Sequence, residues 1–413
     1  MKLAGLWTCL LGAACGGSAA APVDGGRLVD GTTAEAAGGD GAHGDGGTDG
    51  FGPTREGGVD ATLEAMATDA PAETAAPERL VAYTSGYAPD IDQYTVDVQT
   101  GALGSPSSSL ASFGTAPSFL AVDTAAHHLY AVDENTPGQV GAYSIDAVTG
   151  ALTFQNAVPS GGDGPPYVGV DGPWVLVANY TSGTVAVLPV KSDGSLGAAV
   201  DTESPGMLAH MMVADPSDHY VFVPCKGSDY VAQYLFDAAT GQLTANAVPT
   251  MATAAGAGPR HLAFHPNGSI AYLIDETGST MSQLSLDTVH GTLSIVDTVS
   301  TLPAGFTGTN TAAEVHVHPT GRWLFGSNRG ADDIVVFPLD ATGTMGAPTF
   351  TPSGGTTPRD FVLDPTGTFL YAANEGTGNV VVFRFDATTG ALTPTGSTVM
   401  APSASFVGLA ALP

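Results

Sequence analysis

Basic side chains are scarce in this chain. Only 11 Lys and Arg stand against 40 Asp and Glu, which gives a formal net charge of −29 at pH 7. Nucleic acids and anionic bilayers are bound by clusters of basic side chains, so this composition excludes both as natural partners. Cysteine is scarce too, and two of the three lie in the first fifteen residues. Unless Cys15 takes part, Cys225 has no disulfide partner in the body of the chain.

Apolar runs long enough to cross a bilayer are also absent. The run from Leu3 to Ala14 is too short to span a membrane but suits a signal peptide. It ends in Leu-Leu-Gly-Ala-Ala-Cys, which resembles a bacterial lipoprotein cleavage site. We expect residues 1–15 to be a signal peptide of this type, with Cys15 lipidated as the only membrane contact of an exported protein. The alternative is ordinary secretion with cleavage after Ala21.

Residues 16–78 have almost no large apolar side chains and consist mainly of Gly, Ala, Asp, Thr and Pro. Such a segment cannot bury enough apolar surface to offset the entropy lost on ordering. We therefore expect a disordered linker over 16–78, followed by one folded domain over 79–413.

A short phrase recurs seven times along that domain: a Thr-Gly or its equivalent, followed two residues after the glycine by Leu or Met. The separations between successive glycines are 49, 44, 47, 50, 52 and 47 residues. A period in this range indicates a repeat fold. The seven glycines are Gly101, Gly150, Gly194, Gly241, Gly291, Gly343 and Gly390.

The unit from Pro358 to Leu392 shows what is repeated. Short runs rich in Val, Phe and Tyr alternate with Gly, Pro and Asp, which is typical of antiparallel strands and turns, and nothing of comparable length has helical periodicity. Four antiparallel strands per repeat of this length predict a β-propeller blade.

The chain ends predict how the ring closes. Leu80–Tyr83 matches the second strand of a blade, and no first strand precedes it in the repeat. Phe406–Ala410, at the other end of the chain, matches the missing first strand. Pairing them removes the exposed sheet edges of an open ring. The sequence therefore predicts an all-β, seven-bladed β-propeller closed by pairing of its N- and C-terminal strands.

Two positions of the repeat should face the same mouth of the central channel. One, the first-strand register, lies where the first strand of each blade begins; the other, the hairpin register, lies between the second and third strands. The first-strand register holds His210, Arg260, Ala313 and Arg359. The hairpin register holds Glu134, Tyr180, Lys226, Glu276, Arg329 and Glu375.

Scarce cations are concentrated in these two registers. Eight of the eleven Lys and Arg lie beyond residue 78, and four of the eight fall in the registers: Lys226, Arg260, Arg329 and Arg359. Such a mouth binds an anion or stabilises developing negative charge. The alternative is a set of ion pairs that only satisfies a polar channel. No spacing predicts a metal site, no Gly-rich phosphate loop is present, and we expect no cofactor.

Three motifs resemble one family. They are Gly-Pro-Arg-His-Leu-Ala-Phe-His-Pro-Asn-Gly at 258–268, Phe-Thr-Gly-Thr-Asn-Thr-Ala-Ala-Glu-Val-His-Val at 306–317 and Pro-Arg-Asp-Phe at 358–361. In this order they are similar to the bacterial lactonase family of seven-bladed propellers. That family includes the propeller-type 6-phosphogluconolactonases and is related to the cis,cis-muconate-lactonising enzymes. The resemblance covers the chain from about residue 80 to its end.

The resemblance implies a catalytic cluster of one His, one Glu and two Arg at the channel mouth. The matching positions are His210, Arg260, Glu276 and Arg329, all of which lie in the two registers. Hydrolysis of a lactone needs a base for water, here Glu276 or His210, and donors for the oxyanion, here the two arginines.

The remaining polar residues of the registers are expected to bind a small-molecule lactone: Arg359, Tyr180, Lys226 and Glu375. We therefore predict a lactone hydrolase. Two alternatives stay open at this point: a lactonising cycloisomerase, and an exported non-catalytic propeller that binds a glycan or a protein.

Overall fold

The computed structural model of the protein describes residues 79–125 and 127–413. The predicted signal peptide, its Cys15 and the 16–78 linker lie outside the described residues. Within them all regular secondary structure is β-strand. No helix in this part of the chain is long and apolar enough to cross a membrane.

Twenty-eight strands form seven four-stranded antiparallel sheets, numbered here as blades in chain order. Blade 1 contains β1 (Arg79–Gly86), β2 (Asp90–Val96), β3 (Leu103–Ala111) and β28 (Ala404–Leu412); blade 2 contains β4 (Leu120–Asp123), β5 (His128–Asp133), β6 (Gln139–Ile145) and β7 (Leu152–Pro159). Blade 3 contains β8 (Tyr167–Asp171), β9 (Trp174–Asn179), β10 (Thr184–Pro189) and β11 (Asp201–Glu203); blade 4 contains β12 (Val213–Ala214), β13 (Tyr220–Cys225), β14 (Tyr230–Asp237) and β15 (Gln242–Ala252). Blade 5 contains β16 (Pro259–Phe264), β17 (Ile270–Asp275), β18 (Thr280–Asp287) and β19 (Thr292–Ser300). Blade 6 contains β20 (Thr311–Val317), β21 (Trp323–Arg329), β22 (Asp333–Pro338) and β23 (Thr349–Pro352); blade 7 contains β24 (Pro358–Leu363), β25 (Phe369–Asn374), β26 (Asn379–Asp386) and β27 (Ala391–Met400).

The ring closes as the sequence predicts. Strand β28 from the C-terminus pairs antiparallel with β1, from Arg79 opposite Leu412 to Gly86 opposite Ala404. It is the first strand of blade 1, in the sheet order β28-β1-β2-β3. The predicted seven-bladed propeller and its closure are confirmed.

The first strands surround the central channel. Those of neighbouring blades contact one another, as β24, β28, β4 and β8 do in succession. Strands β9, β13 and β25, which come second in their blades, are buried along their whole length because each blade is packed between two others. The fourth strands, such as β15 and β27, are largely exposed. The core thus lies between blades, and the channel mouth is formed where the first strands begin.

The repeated glycines join neighbouring blades. All seven have a positive φ, between 65° and 82°, which glycine adopts without steric cost. Each packs against the preceding blade, and the carbonyl groups of Gly150, Gly194 and Gly343 each accept a hydrogen bond from a tyrosine hydroxyl there. Tyr83 donates to Gly150 O at 2.6 Å and Tyr272 donates to Gly343 O at 2.6 Å. At Gly291 an added Cβ would lie 1.9 Å from the ring of Tyr220. The repeat period of the sequence is therefore the spacing between successive contacts of a glycine turn with the preceding blade.

A matched pair of glycine substitutions tests this role. Gly291 and Gly268 have φ of 65° and 73°, but a Cβ at Gly268 meets nothing within 4 Å. We expect Gly268→Ala to cost about 1 kcal/mol through backbone strain alone. Gly291→Ala should cost about 1–3 kcal/mol more, because it also displaces Tyr220. Denaturant unfolding measures both, and equal losses of stability would contradict the account.

Candidate functional site

Glu276 lies at the centre of the channel mouth, directly after β17. Its backbone N–H donates to Gly258 O at 2.7 Å, which holds the hairpin against the segment before β16. One carboxylate oxygen, Oε1, lies 2.8 Å from Lys226 Nζ and 3.1 Å from Arg329 Nη2. The other, Oε2, lies 3.6 Å from Arg260 Nε. A single carboxylate therefore holds three cations that come from blades 4, 5 and 6.

These cations decide the charge of Glu276. Burial raises the pKa of this carboxyl, but Arg329, Arg260 and Lys226 outweigh burial and lower the pKa to about 2. Glu276 is a carboxylate at every physiological pH and a weak proton acceptor. Of the two bases that the sequence left open, it is the less suitable one.

Arg260 connects the mouth with the layer of side chains beneath it. It is only 2% exposed, its Nη1 donates to Ala313 O at 2.6 Å, and the same atom lies 3.7 Å from Glu314 Oε2. Burial lowers the pKa of Arg260 to about 10, with a further contribution from the charges of Arg329 and Arg359. The guanidinium stays charged at neutral pH.

Two arginine N–H groups at the mouth have no hydrogen-bond partner among the described residues. They are the Nε atoms of Arg260 and Arg329, and both are buried. Arg329 Nη2 donates a hydrogen bond to Ala312 O at 3.0 Å and forms the ion pair with Glu276. A buried donor without an acceptor is costly, and in an enzyme site it marks a place for a negatively charged oxygen of the substrate.

His210 lies beside this cluster and is 4% exposed. Its backbone N–H donates to Pro224 O at 3.0 Å, and its ring stands edge-on to that of Tyr180, with 5.7 Å between centroids. Burial, followed by the charge of Arg260, holds the pKa of His210 well below its usual range. The imidazole is therefore neutral and carries a lone pair, although burial and the nearby cations also weaken it as a base.

A second cluster lies at the same mouth around Arg359. Its Nη2 donates to Tyr87 Oη at 3.0 Å and its Nη1 lies 3.6 Å from Glu375 Oε2. Tyr87 in turn donates to Glu134 Oε2 at 3.0 Å. Tyr180, the remaining predicted binding residue, accepts a hydrogen bond from Lys226 Nζ at 3.1 Å. Tyr87 directly follows β1, the second strand of blade 1, so it occupies the hairpin position of that blade, a position that the repeat pattern left without a predicted residue.

The sequence also missed a buried pair beneath the mouth. His261 Nδ1 lies 3.0 and 2.8 Å from the two carboxylate oxygens of Glu314. The pairing register shifts between Pro259 and His261 in blade 5 and between Ala312 and Val315 in blade 6. Such bulges break the alternation of a strand and re-aim side chains, so neighbours such as Arg260 and His261 both serve the channel. The only signal in the sequence was their position next to the first-strand register.

One group of potential metal ligands exists among the described residues. Ligand atoms of Glu314, His316 and Asp360 lie within 4.8 Å of one another, on β20 and β24. Because the three come from two blades, their spacing in sequence gave no indication of this group. Glu314 is already bound by His261 and lies near Arg260, whose charge opposes a cation there. The absence of a metal stays a prediction.

The charge of Glu276 predicts how stability depends on pH. Its pKa falls on folding from an ordinary 4.5 to about 2, which corresponds to a stabilisation of about 3 kcal/mol. Since the folded-state value is the lower one, this stabilisation is complete above about pH 4.5 and is lost as the pH falls towards about 2. Glu276→Gln should therefore be less stable than the wild type at neutral pH, and the difference should shrink in acid.

Urea unfolding across this pH range measures the difference. Glu203→Gln on β11 is the matched control, and its stability should follow that of the wild type throughout. A Glu276→Gln variant as stable as the wild type at neutral pH would show that the three cations do not depend on this carboxylate.

Known proteins share this architecture. The family model described as "Lactonase, 7-bladed beta-propeller" matches residues 80–409. The 6-phosphogluconolactonase of Bacillus subtilis is 36% identical over 334 residues, which is 78% of this chain and 94% of that protein. The 6-phosphogluconolactonase of Pectobacterium carotovorum is 35% identical over 57% of this chain and 70% of its own length.

A solved structure agrees with these matches. The periplasmic gluconolactonase of Pseudomonas aeruginosa superposes with a TM-score of 0.76 at 30% identity, over 81% of this chain and 100% of that one. The relation to cis,cis-muconate-lactonising enzymes stays a prediction. The chain belongs to the lactonase family of seven-bladed β-propellers, a family of lactone hydrolases.

Proposed function

We propose that this lactone hydrolase opens an unphosphorylated aldonolactone at the channel mouth, with neutral His210 as the base. The observation that carries the proposal is the meeting, in one buried place, of a neutral imidazole and two arginine Nε–H groups without hydrogen-bond partners. Hydrolysis of a lactone requires both: an acceptor for the proton of water and donors for the oxyanion.

The chemistry follows from these positions. The oxygen of water attacks the lactone carbonyl carbon while His210 takes a proton from that water. Negative charge develops on the carbonyl oxygen, where Arg260 and Arg329 donate to it. The ring C–O bond then breaks, and the imidazolium returns its proton to the departing ring oxygen. The product is a hydroxy acid, which loses its acidic proton to solvent, and its carboxylate faces the same two arginines.

Glu276 acts in this proposal through the cations it holds. With a pKa of about 2 it does not serve as the base, but it fixes Arg260, Arg329 and Lys226 before the substrate arrives. Donors that are already oriented cost no reorganisation during the reaction. The remaining polar residues of the mouth would bind the hydroxyl groups of the sugar: Tyr180, Lys226, Arg359 and Glu375.

Only part of the positive charge at the mouth is balanced: Arg359 pairs with Glu375, while Lys226 shares Glu276 with Arg260 and Arg329. The positive charge that is left suits the carboxylate of the product. An exported enzyme seldom meets sugar phosphates, so we propose that the substrate carries no phosphate. The name of the Pseudomonas aeruginosa relative, a periplasmic gluconolactonase, agrees with this chemistry and with export of the present chain. Export on a signal peptide over 1–15, with or without a lipid at Cys15, is part of the proposal.

The two alternatives have less support. A lactonising cycloisomerase and a non-catalytic binding propeller are both compatible with the fold, but the comparisons favour neither. A binding site also has no need of a neutral buried histidine next to unpaired arginine donors.

Removal of an oxyanion donor tests the roles of the arginines. We expect Arg260→Ala and Arg329→Ala each to lower kcat for glucono-δ-lactone hydrolysis by about a hundredfold, on the scale of losing one such donor. Arg322→Ala, at an exposed turn, is the control and should keep the wild-type rate. Thermal melting of each variant establishes that the propeller is intact. Folded Arg260 and Arg329 variants with full activity would refute the assignment.

Ionic strength tests the nature of the substrate. Glucono-δ-lactone, which is neutral, should have a KM that changes little with added salt and a kcat/KM at least equal to that of 6-phosphogluconolactone. A phosphate held by charges at a solvated mouth should instead give a KM that rises steeply with salt. A strong preference for the phosphorylated lactone that is lost in Arg359→Ala would overturn the substrate assignment.

A further inference from the structure

Two histidine nitrogens beneath the channel mouth are buried and have no hydrogen-bond partner among the described residues: His210 Nδ1 and His261 Nε2. Their rings are 5.0 Å apart between centroids and inclined at 70°. An N–H···N bond of about 3 Å between the near edges of two imidazole rings places the centroids on the order of 5 Å apart. The two rings make no hydrogen bond with each other in this structure, but they are close enough that a small rotation of the imidazoles would bring the two unsatisfied nitrogens together.

Glu314 determines which nitrogen of His261 carries the proton. Its two oxygens lie 3.0 and 2.8 Å from Nδ1, and a carboxylate only accepts hydrogen bonds, so Nδ1 is the protonated atom. Burial lowers the pKa of His261 to about 4, so the ring is neutral. Against burial, His261 and Arg260 hold the pKa of Glu314 below its ordinary value. His261 Nε2 therefore carries the lone pair, and this atom is buried with no donor among the described residues.

His210 is the donor that this lone pair lacks. We infer that Glu314, His261 and His210 form a buried hydrogen-bonded relay, in which His261 Nε2 accepts from His210 Nδ1–H and the lone pair of His210 is thereby fixed on Nε2. The inference rests on the proposed role of His210 as the base. In it His261 and Glu314 are positioning residues, because they act on the substrate only through His210.

The relay stabilises the protonated form of His210, which the positive charges around it oppose. When His210 takes a proton from water, a positive charge forms close to Arg260, Arg329 and Arg359, all of which lower its pKa. The Nδ1–H bond to His261, and behind it the negative charge of Glu314, stabilises that imidazolium. The proton that arrives on Nε2 leaves from Nε2 to the ring oxygen of the lactone, so none needs to reach Glu314.

The charged and titratable groups around the relay enter its pH dependence. His210 faces Tyr180 and the three arginines, His261 faces Tyr167, Arg260 and Glu314, and Glu314 itself faces His316 and Asp360. Burial and the charge of Glu314 hold the pKa of Asp360 well above its usual range, and burial lowers the pKa of His316, so both are neutral and Glu314 brings the negative charge to the far end of the relay. Loss of that charge should lower the pKa of the base and weaken it, so the acid limb of kcat/KM should move to lower pH while the plateau falls.

Kinetics of the full chain provide the first test. We expect His261→Phe to lower kcat about a hundredfold and Glu314→Gln about tenfold, with KM within about twofold of wild type. In Glu314→Gln the acid limb should shift to lower pH. Tyr167→Phe, whose ring also lies edge-on to His261, is the control and should leave kcat unchanged. Unshifted limbs with normal kcat in folded variants would overturn the relay.

Nitrogen NMR of the full chain with ¹⁵N-labelled histidine provides a readout that does not depend on catalysis. Two-bond ¹H–¹⁵N correlations distinguish the two neutral tautomers, and loss of a signal in His210→Gln identifies His210. The relay predicts the Nδ1–H tautomer in the wild type and its loss in His261→Phe. An Nε2–H tautomer in the wild type would refute the relay whatever the activity. The expected tautomer in a chain that hydrolyses no lactone would refute the proposed function and leave the relay standing.

Discussion

The site depends on one carboxylate that holds three cations from three blades. Lys226, Arg260 and Arg329 are brought together because every blade repeats the same hairpin and the same first strand, and Glu276 neutralises part of the charge they share. Without it, three positive groups would repel one another at the mouth of a channel with low dielectric. The closed ring provides the positions, and this ion cluster gives them a common centre.

The same electrostatics separate the roles of the two candidate bases. The cations lower the pKa of both groups: Glu276 stays an ionised carboxylate that holds them, and the buried imidazole of His210 stays neutral with a lone pair. One set of charges thus leaves the two groups in different charge states, and we propose the neutral one as the base. Two buried arginine N–H groups without a hydrogen-bond partner among the described residues complete the arrangement, because an oxyanion bound at the mouth would satisfy them.

The fold and most side chains of the channel mouth could be predicted from the sequence, because both follow from the repeat. The glycine period predicted seven blades, and two positions per blade predicted Glu276 and the cations around it. Residues outside the registers were missed. His261 and Glu314 serve the channel because bulges interrupt their strands, so a strict alternation of side chains does not place them there. Tyr87, by contrast, occupies the hairpin position of blade 1, and it was missed because the first strand of that blade comes from the other end of the chain and the unit was not aligned with the others.

The most direct measurement of the central claim is the hydrolysis of glucono-δ-lactone by the full chain and by its His210→Gln variant at neutral pH. The account predicts that the wild type accelerates hydrolysis well above the uncatalysed rate, and that the folded variant loses about a hundredfold or more in kcat with little change in KM. Equal rates in the two proteins would contradict it, because a neutral histidine would then have no part in activating water.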